Sequence, residues 1–205
     1  MWYFVAFLVG FILSGACYGS NLLLQKVLVK RKLYKLQGLS MVIVSIIPAI
    51  IICICFSTYP FNFRAILDCK MWLIAICTVL VTSMLIKLKH EKYEAETGFI
   101  LCVEAVGMEI PQRVMMQTLV CGLLASHEMQ AVYGIIINAL IWCFAIVIQA
   151  CIMKDNRWKH LIIELISSFV FSLGIGFVFY ASECFVIPML AHAAERIVTR
   201  KQFIK

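Results

Sequence analysis

Charge is what this chain has least of. Charged residues make up 14% of its 205 positions, and acids are the rarer kind, with 11 Asp and Glu against 18 Lys and Arg. Together with 63% hydrophobic residues and a mean hydropathy of +0.98, this excludes an ordinary soluble domain, which could not hide so much apolar surface. The sequence also lacks a glycine-rich phosphate loop, an internal repeat and a low-complexity tract. The first apolar stretch, Met1–Leu13, has no basic flank before it and no clear small-residue cleavage site after it. It is therefore expected to be a retained first helix and not a signal peptide. A disulfide framework is not indicated either, although there are 10 cysteines. Eight fall within or at the ends of apolar segments, where free Cys acts as a small hydrophobe. Cys69 and Cys184 are expected near the outer face, where a disulfide between them is possible.

What remains is a polytopic membrane chain. A spanning helix needs about 20 mostly apolar residues. The segments that qualify or nearly do are Trp2–Val29, Met41–Ser57, Met71–Leu88, Gly98–Ala125, Met129–Met153, Leu161–Ser182 and Cys184–Thr199. The expected fold is an all-α bundle of about seven transmembrane helices in a single membrane domain spanning 1–205. The basic residues set its orientation. Lys26 to Lys35 follow the first helix, Lys87 to Lys92 the third and Lys154 to Lys159 the fifth. Arg196 to Lys205 end the chain. Only Arg64 and Lys70 fall on the other side. By the positive-inside rule the N-terminus is outside and the C-terminus is in the cytosol. The same clustering explains the net charge of +7 as a topology signal, so lipid is the expected partner and nucleic acid is not.

Against that apolar background a few polar residues stand out. A charged side chain at the bilayer centre costs roughly 2.5–3.5 kcal/mol on insertion scales, so Glu109 and Arg113 mark a place where function should be sought. Glu109, Arg113 and Gln117 recur every four residues and share one helix face. Pro111 lies between the first two and is expected to kink or break the helix, which at membrane depth normally lines a cavity. Counting from the helix starts places Glu109, Asn138 and His192 at a similar, central depth, so side chains from three helices are expected to meet. Glu104 falls off the shared face unless the break rotates it back. A structural ion pair is the plainer reading of Glu109–Arg113, a hydrogen-bonded core residue that of His192. Glu195 and Arg196 can equally mark the inner end of the last helix.

Met108-Glu109-Ile-Pro-Gln-Arg113 and Pro188-Met-Leu-Ala-His192 carry a resemblance. Over roughly residues 98–199 the chain resembles the CPBP family (CAAX-protease and bacteriocin-processing, or Abi, intramembrane proteases). That family has the helical motifs Glu-Glu-x-x-x-Arg, Phe-x-x-x-His and His-x-x-x-Asn. Here Met108 stands at the first Glu, Asn138–Ala145 matches the second motif without its histidine, and Arg196 replaces the final Asn. The resemblance implies a bacterial cell-membrane endopeptidase acting on a small peptide or membrane-anchored substrate. Glu109 would activate water, His192 and Asn138 would stabilise the oxyanion, and Arg113, Arg196 and Glu104 would support them. No cofactor is expected, since one His and one Glu are too few for zinc. The alternative it implies is a non-catalytic relative that binds peptide as an immunity or transport-accessory protein.

Overall fold

The computed structural model describes residues 1–86, 98–152 and 158–201. The expected basic positions Lys87, Lys89, Lys92, Lys154, Arg157 and Lys205 lie outside the described residues. Within them the fold is all-α and contains no strand, only an isolated bridge between Phe61 and Cys184. The helices are α1 (Trp2–Lys30), α2 (Ser40–Cys55), α3 (Cys69–Ile86), α4 (Gly98–Glu109), α5 (Thr118–Ala125), α6 (Tyr133–Ile152), α7 (Trp158–Ser182) and α8 (Val186–Lys201). A π-helical segment, Ile110–Gln117, joins α4 to α5 without leaving helical geometry. The expected segment Gly98–Ala125 is therefore one rod with a wider middle. Among the described residues four helices, α1, α3, α6 and α7, are long and apolar enough to cross a membrane, and α2 is apolar but shorter.

Large apolar side chains cover the outside of this bundle. Ile54 is 72% exposed, Phe4 and Ile47 68% and Leu73 63%, an arrangement stable only against another apolar phase. Inside, two apolar clusters form. One joins α1, α2, α6 and the α5 end of the rod through Ala6, Ala49, Met116, Val120 and Ile141. The other joins α3, α7 and α8 through Val79, Phe171, Ile175 and Ile187. The rod runs between the two.

Contacts gather four chain segments at one end of the bundle. The 58–62 loop is tied to the α7–α8 corner by Asn62 N–H to the Glu183 carbonyl (3.2 Å), Phe185 N–H to the Pro60 carbonyl (3.0 Å) and the Asn62 side-chain amide to the Ser182 carbonyl (3.0 Å). The ring of His127, between α5 and α6, stacks on Trp2 at 3.4 Å. Tyr59, Phe61 and Phe63 are exposed there. The possible Cys69–Cys184 disulfide is not formed. Both thiols are free, because Cys184 is buried under the α7–α8 corner while Cys69 is exposed at the start of α3.

Candidate functional site

The wide turn has a local cause. Pro111 has no N–H to donate, so the ordinary i→i−4 ladder is interrupted at its position. The chain answers with i→i−5 geometry, and Thr118 N–H reaches the Arg113 carbonyl. The Thr118 hydroxyl donates to the same carbonyl at 3.3 Å. The expected break is thus absorbed as a π-helix, a form that recurs at functional sites.

The widening keeps Glu109, Arg113 and Gln117 in one line facing α7 and α8. Arg113 Nε donates to Glu109 Oε2 at 3.1 Å. Its Nη1 donates to Gln117 Oε1, to the Ser172 carbonyl and to Ser172 Oγ, each at 3.2 Å. Gln117 Nε2 donates to the Gly176 carbonyl at 2.7 Å. The other carboxylate oxygen, Glu109 Oε1, lies 2.6 Å from His192 Nδ1 on α8. Glu109 and Arg113 are fully buried, whereas the His192 side chain keeps 9% of its surface. Phe171 lies against the imidazole, with ring centroids 4.8 Å apart. Both Glu109 oxygens are therefore engaged, and His192 is the least buried of the three charged or titratable members of the cluster. The guanidinium is not fully satisfied, because Nη2 is buried without a partner among the described residues. A buried orphan of that kind costs on the order of 1–3 kcal/mol.

Three expected members do not join. Asn138 is buried but sits on the other side of the rod, beside a small cavity of about 20 Å³ with Pro111 and Gln112. Depth put it level with Glu109, but α6 meets the face of the rod that carries Gln112 and Met116, not the face that carries Glu109. Glu104 lies against Gly38 and lines a separate cavity with Met108. The π turn begins after it and so cannot rotate it back. Arg196 is largely exposed, its side chain 49% accessible, and its Nε stands 3.5 Å from Glu195 Oε2. In the other direction, Ser172 and the Gly176 carbonyl are partners that sequence reasoning missed, and Glu195 is buried at 4% exposure. The Gly174-Ile-Gly176 pair was the available signal, as a place of close helix approach.

Gly176 shows how tight that approach is. A methyl group there would stand 2.8 Å from Ile135 Cγ2, 3.0 Å from Gln117 Oε1 and 3.2 Å from Arg113 Nη1. Gly176→Ala is expected to destabilise the protein by about 1–3 kcal/mol through overpacking. Gly19, with nothing within 4 Å of such a methyl, is the control. Gly19→Ala should be neutral or gain up to about 1 kcal/mol of helix propensity. Unfolding of both variants in detergent measures the difference, and equal stabilities would mean that the Gln117–Gly176 contact is loose.

Compared with known protein families, curated proteins and solved structures, the chain matches none.

Proposed function

We propose that this protein is an intramembrane peptidase of the type its 98–199 region resembles, working through Glu109 and His192. The observation that carries the reading is the 2.6 Å contact between His192 Nδ1 and Glu109 Oε1, made by residues 83 positions apart. A carboxylate accepting from Nδ1–H fixes the tautomer and leaves Nε2 as the basic nitrogen. In the proposed reaction Nε2 takes a proton from water while the water oxygen attacks the peptide carbonyl carbon. Collapse of the tetrahedral intermediate breaks the C–N bond, and the imidazolium returns the proton to the leaving amine. Glu109 stays bonded to the ring and stabilises its positive form. The base role first given to Glu109 thus passes to His192, since both carboxylate oxygens are already engaged. Arg113 holds Glu109 in place. Its imperfectly satisfied burial supports a functional reading, because a pair kept only for stability is readily replaced by apolar packing.

The test is cleavage of membrane-anchored and precursor peptides by purified protein in lipid nanodiscs, with new termini read by mass spectrometry. The non-catalytic relative remains the second reading, supported by the closure of both Glu109 oxygens and by Met108 at the family's first Glu. It expects the same peptides to bind without being cut.

The charge pattern supports a cell-membrane protein with its N-terminus outside and its C-terminus in the cytosol. The end of the bundle that gathers the N-terminus, the 58–62 loop, His127 and the α7–α8 corner would be the outer one. Reporter fusions after Lys35, Lys92 and Lys159 should all read cytosol. External signals at two of them would overturn this orientation.

A further inference from the structure

Glu104 on the rod and Asn138 on α6 both stand apart from the Glu109–His192 cluster. A cavity of about 540 Å³ opens between the rod, α6 and α1, walled by α1, Gly38, α2, α4 and α6. That is within the size range of small-molecule sites. Its two ends differ in chemistry. At one end Ser40 Oγ donates to Asn21 Oδ1 at 2.6 Å and Gln25 Nε2 donates to Ser40 Oγ at 3.3 Å. Asn21 and Ser40 are buried, at 8% and 1% exposure, so this network is held in place before any ligand arrives. The half-buried carboxylate of Glu104 stands in the same wall, and among the residues whose side chains are described no Lys, Arg or His forms an ion pair with it. At the other end the lining is Phe11, Met41, Trp142 and Ile146, with Ser14 and Tyr18 on the α1 stretch between Phe11 and Asn21. Met41, Trp142 and Ser14 also line the small cavity beside Gln112 and Asn138, so the apolar end leads towards the rod's centre.

A carboxylate with fixed amide and hydroxyl groups at one end and an aromatic-aliphatic wall at the other suits one kind of ligand. We propose that this cavity binds a primary ammonium head carried on an aliphatic body. Glu104 takes the ammonium, Asn21 and Gln25 flank it, and the chain lies along Met41 and Trp142. Burial strengthens such a charge-assisted contact relative to its strength in water. Two sources present this chemistry, an aminophospholipid of the surrounding bilayer and a free long-chain amine. The site is independent of the proposed peptidase centre, which lies on the other face of the rod, and the two proposals fail separately.

Native mass spectrometry of the whole protein in maltoside micelles tests it with dodecylamine, dodecanol, phosphatidylethanolamine and phosphatidylcholine. Dodecylamine should bind at least about tenfold more tightly than dodecanol, and Glu104→Gln, which keeps the side-chain shape, should abolish the difference. Preference for phosphatidylethanolamine over phosphatidylcholine would identify a lipid head as a ligand, and dodecylamine selectivity alone would identify a free amine. Equal binding of amine and alcohol by the wild type, or an amine preference that survives Glu104→Gln, would overturn the proposal. The wild-type comparison needs no variant to fold.

Discussion

Arg113→Ala is expected to be among the most damaging single substitutions in this chain, lowering stability by about 3–5 kcal/mol. The reason is the number of groups that depend on one guanidinium. Its loss strands Glu109 Oε2, Gln117 Oε1 and the side chain of Ser172, all in a region from which water is excluded. It also leaves a hole the size of an arginine between α7 and the rod. Glu109→Gln should cost less. The amide fills the same space and its oxygen still accepts from Arg113, so no hole forms, although the guanidinium charge then lacks its partner. Arg113→Lys is not conservative here, since an ammonium cannot reach Glu109, Gln117 and Ser172 from one fixed fork. Denaturant unfolding in detergent ranks the three. If Arg113→Ala is as stable as the wild type, the polar cluster is hydrated and its geometry is not the one described.

The second large effect concerns turnover. Within the proposed peptidase, His192→Ala removes the proton acceptor and should lower kcat by about 10²–10⁴, the usual worth of a positioned acid-base group. Glu109→Gln should fall in the same range for a different reason. The ring keeps a hydrogen-bond partner but loses the charge that favours its protonated form and one tautomer. KM should change little in either variant, because neither residue is assigned to holding the substrate. The two effects should not add, since the residues act as a unit. A His192→Ala variant that still cuts at the wild-type rate, with binding unchanged, would sink the catalytic assignment.

Much of this site was legible in the sequence, and the reasons are specific. Glu109, Arg113 and Gln117 at spacings of four predict a shared face, and a helix offers no other way to arrange them. His192 was placed with Glu109 by depth and by a family resemblance, and the two do meet. Depth alone failed for Asn138, because counting residues from a membrane boundary fixes height and leaves helix rotation free. Glu104 and Arg196 enter the expected site through the resemblance and not through depth, and the structure places Glu104 in a separate cavity and Arg196 beside Glu195. The π-helix was half legible. Pro111 announces that the ladder is interrupted, but whether the rod kinks or widens depends on the residues packed against it, here Ser172 and Gly176 on α7. The apolar helices were read within a few residues of their observed ends, since long hydrophobic runs leave little choice of structure.

The most direct measurement is nitrogen-15 NMR of the 4 histidines in purified protein, comparing wild type with Glu109→Gln. A carboxylate bonded to Nδ1 at 2.6 Å predicts one imidazole locked in the Nδ1–H tautomer, with a strongly deshielded proton. In Glu109→Gln that proton should move to an ordinary position, and in His192→Ala it should vanish. A His192 signal that averages between tautomers in the wild type, or is unchanged by Glu109→Gln, would contradict the Glu109–His192 centre on which the proposed function rests.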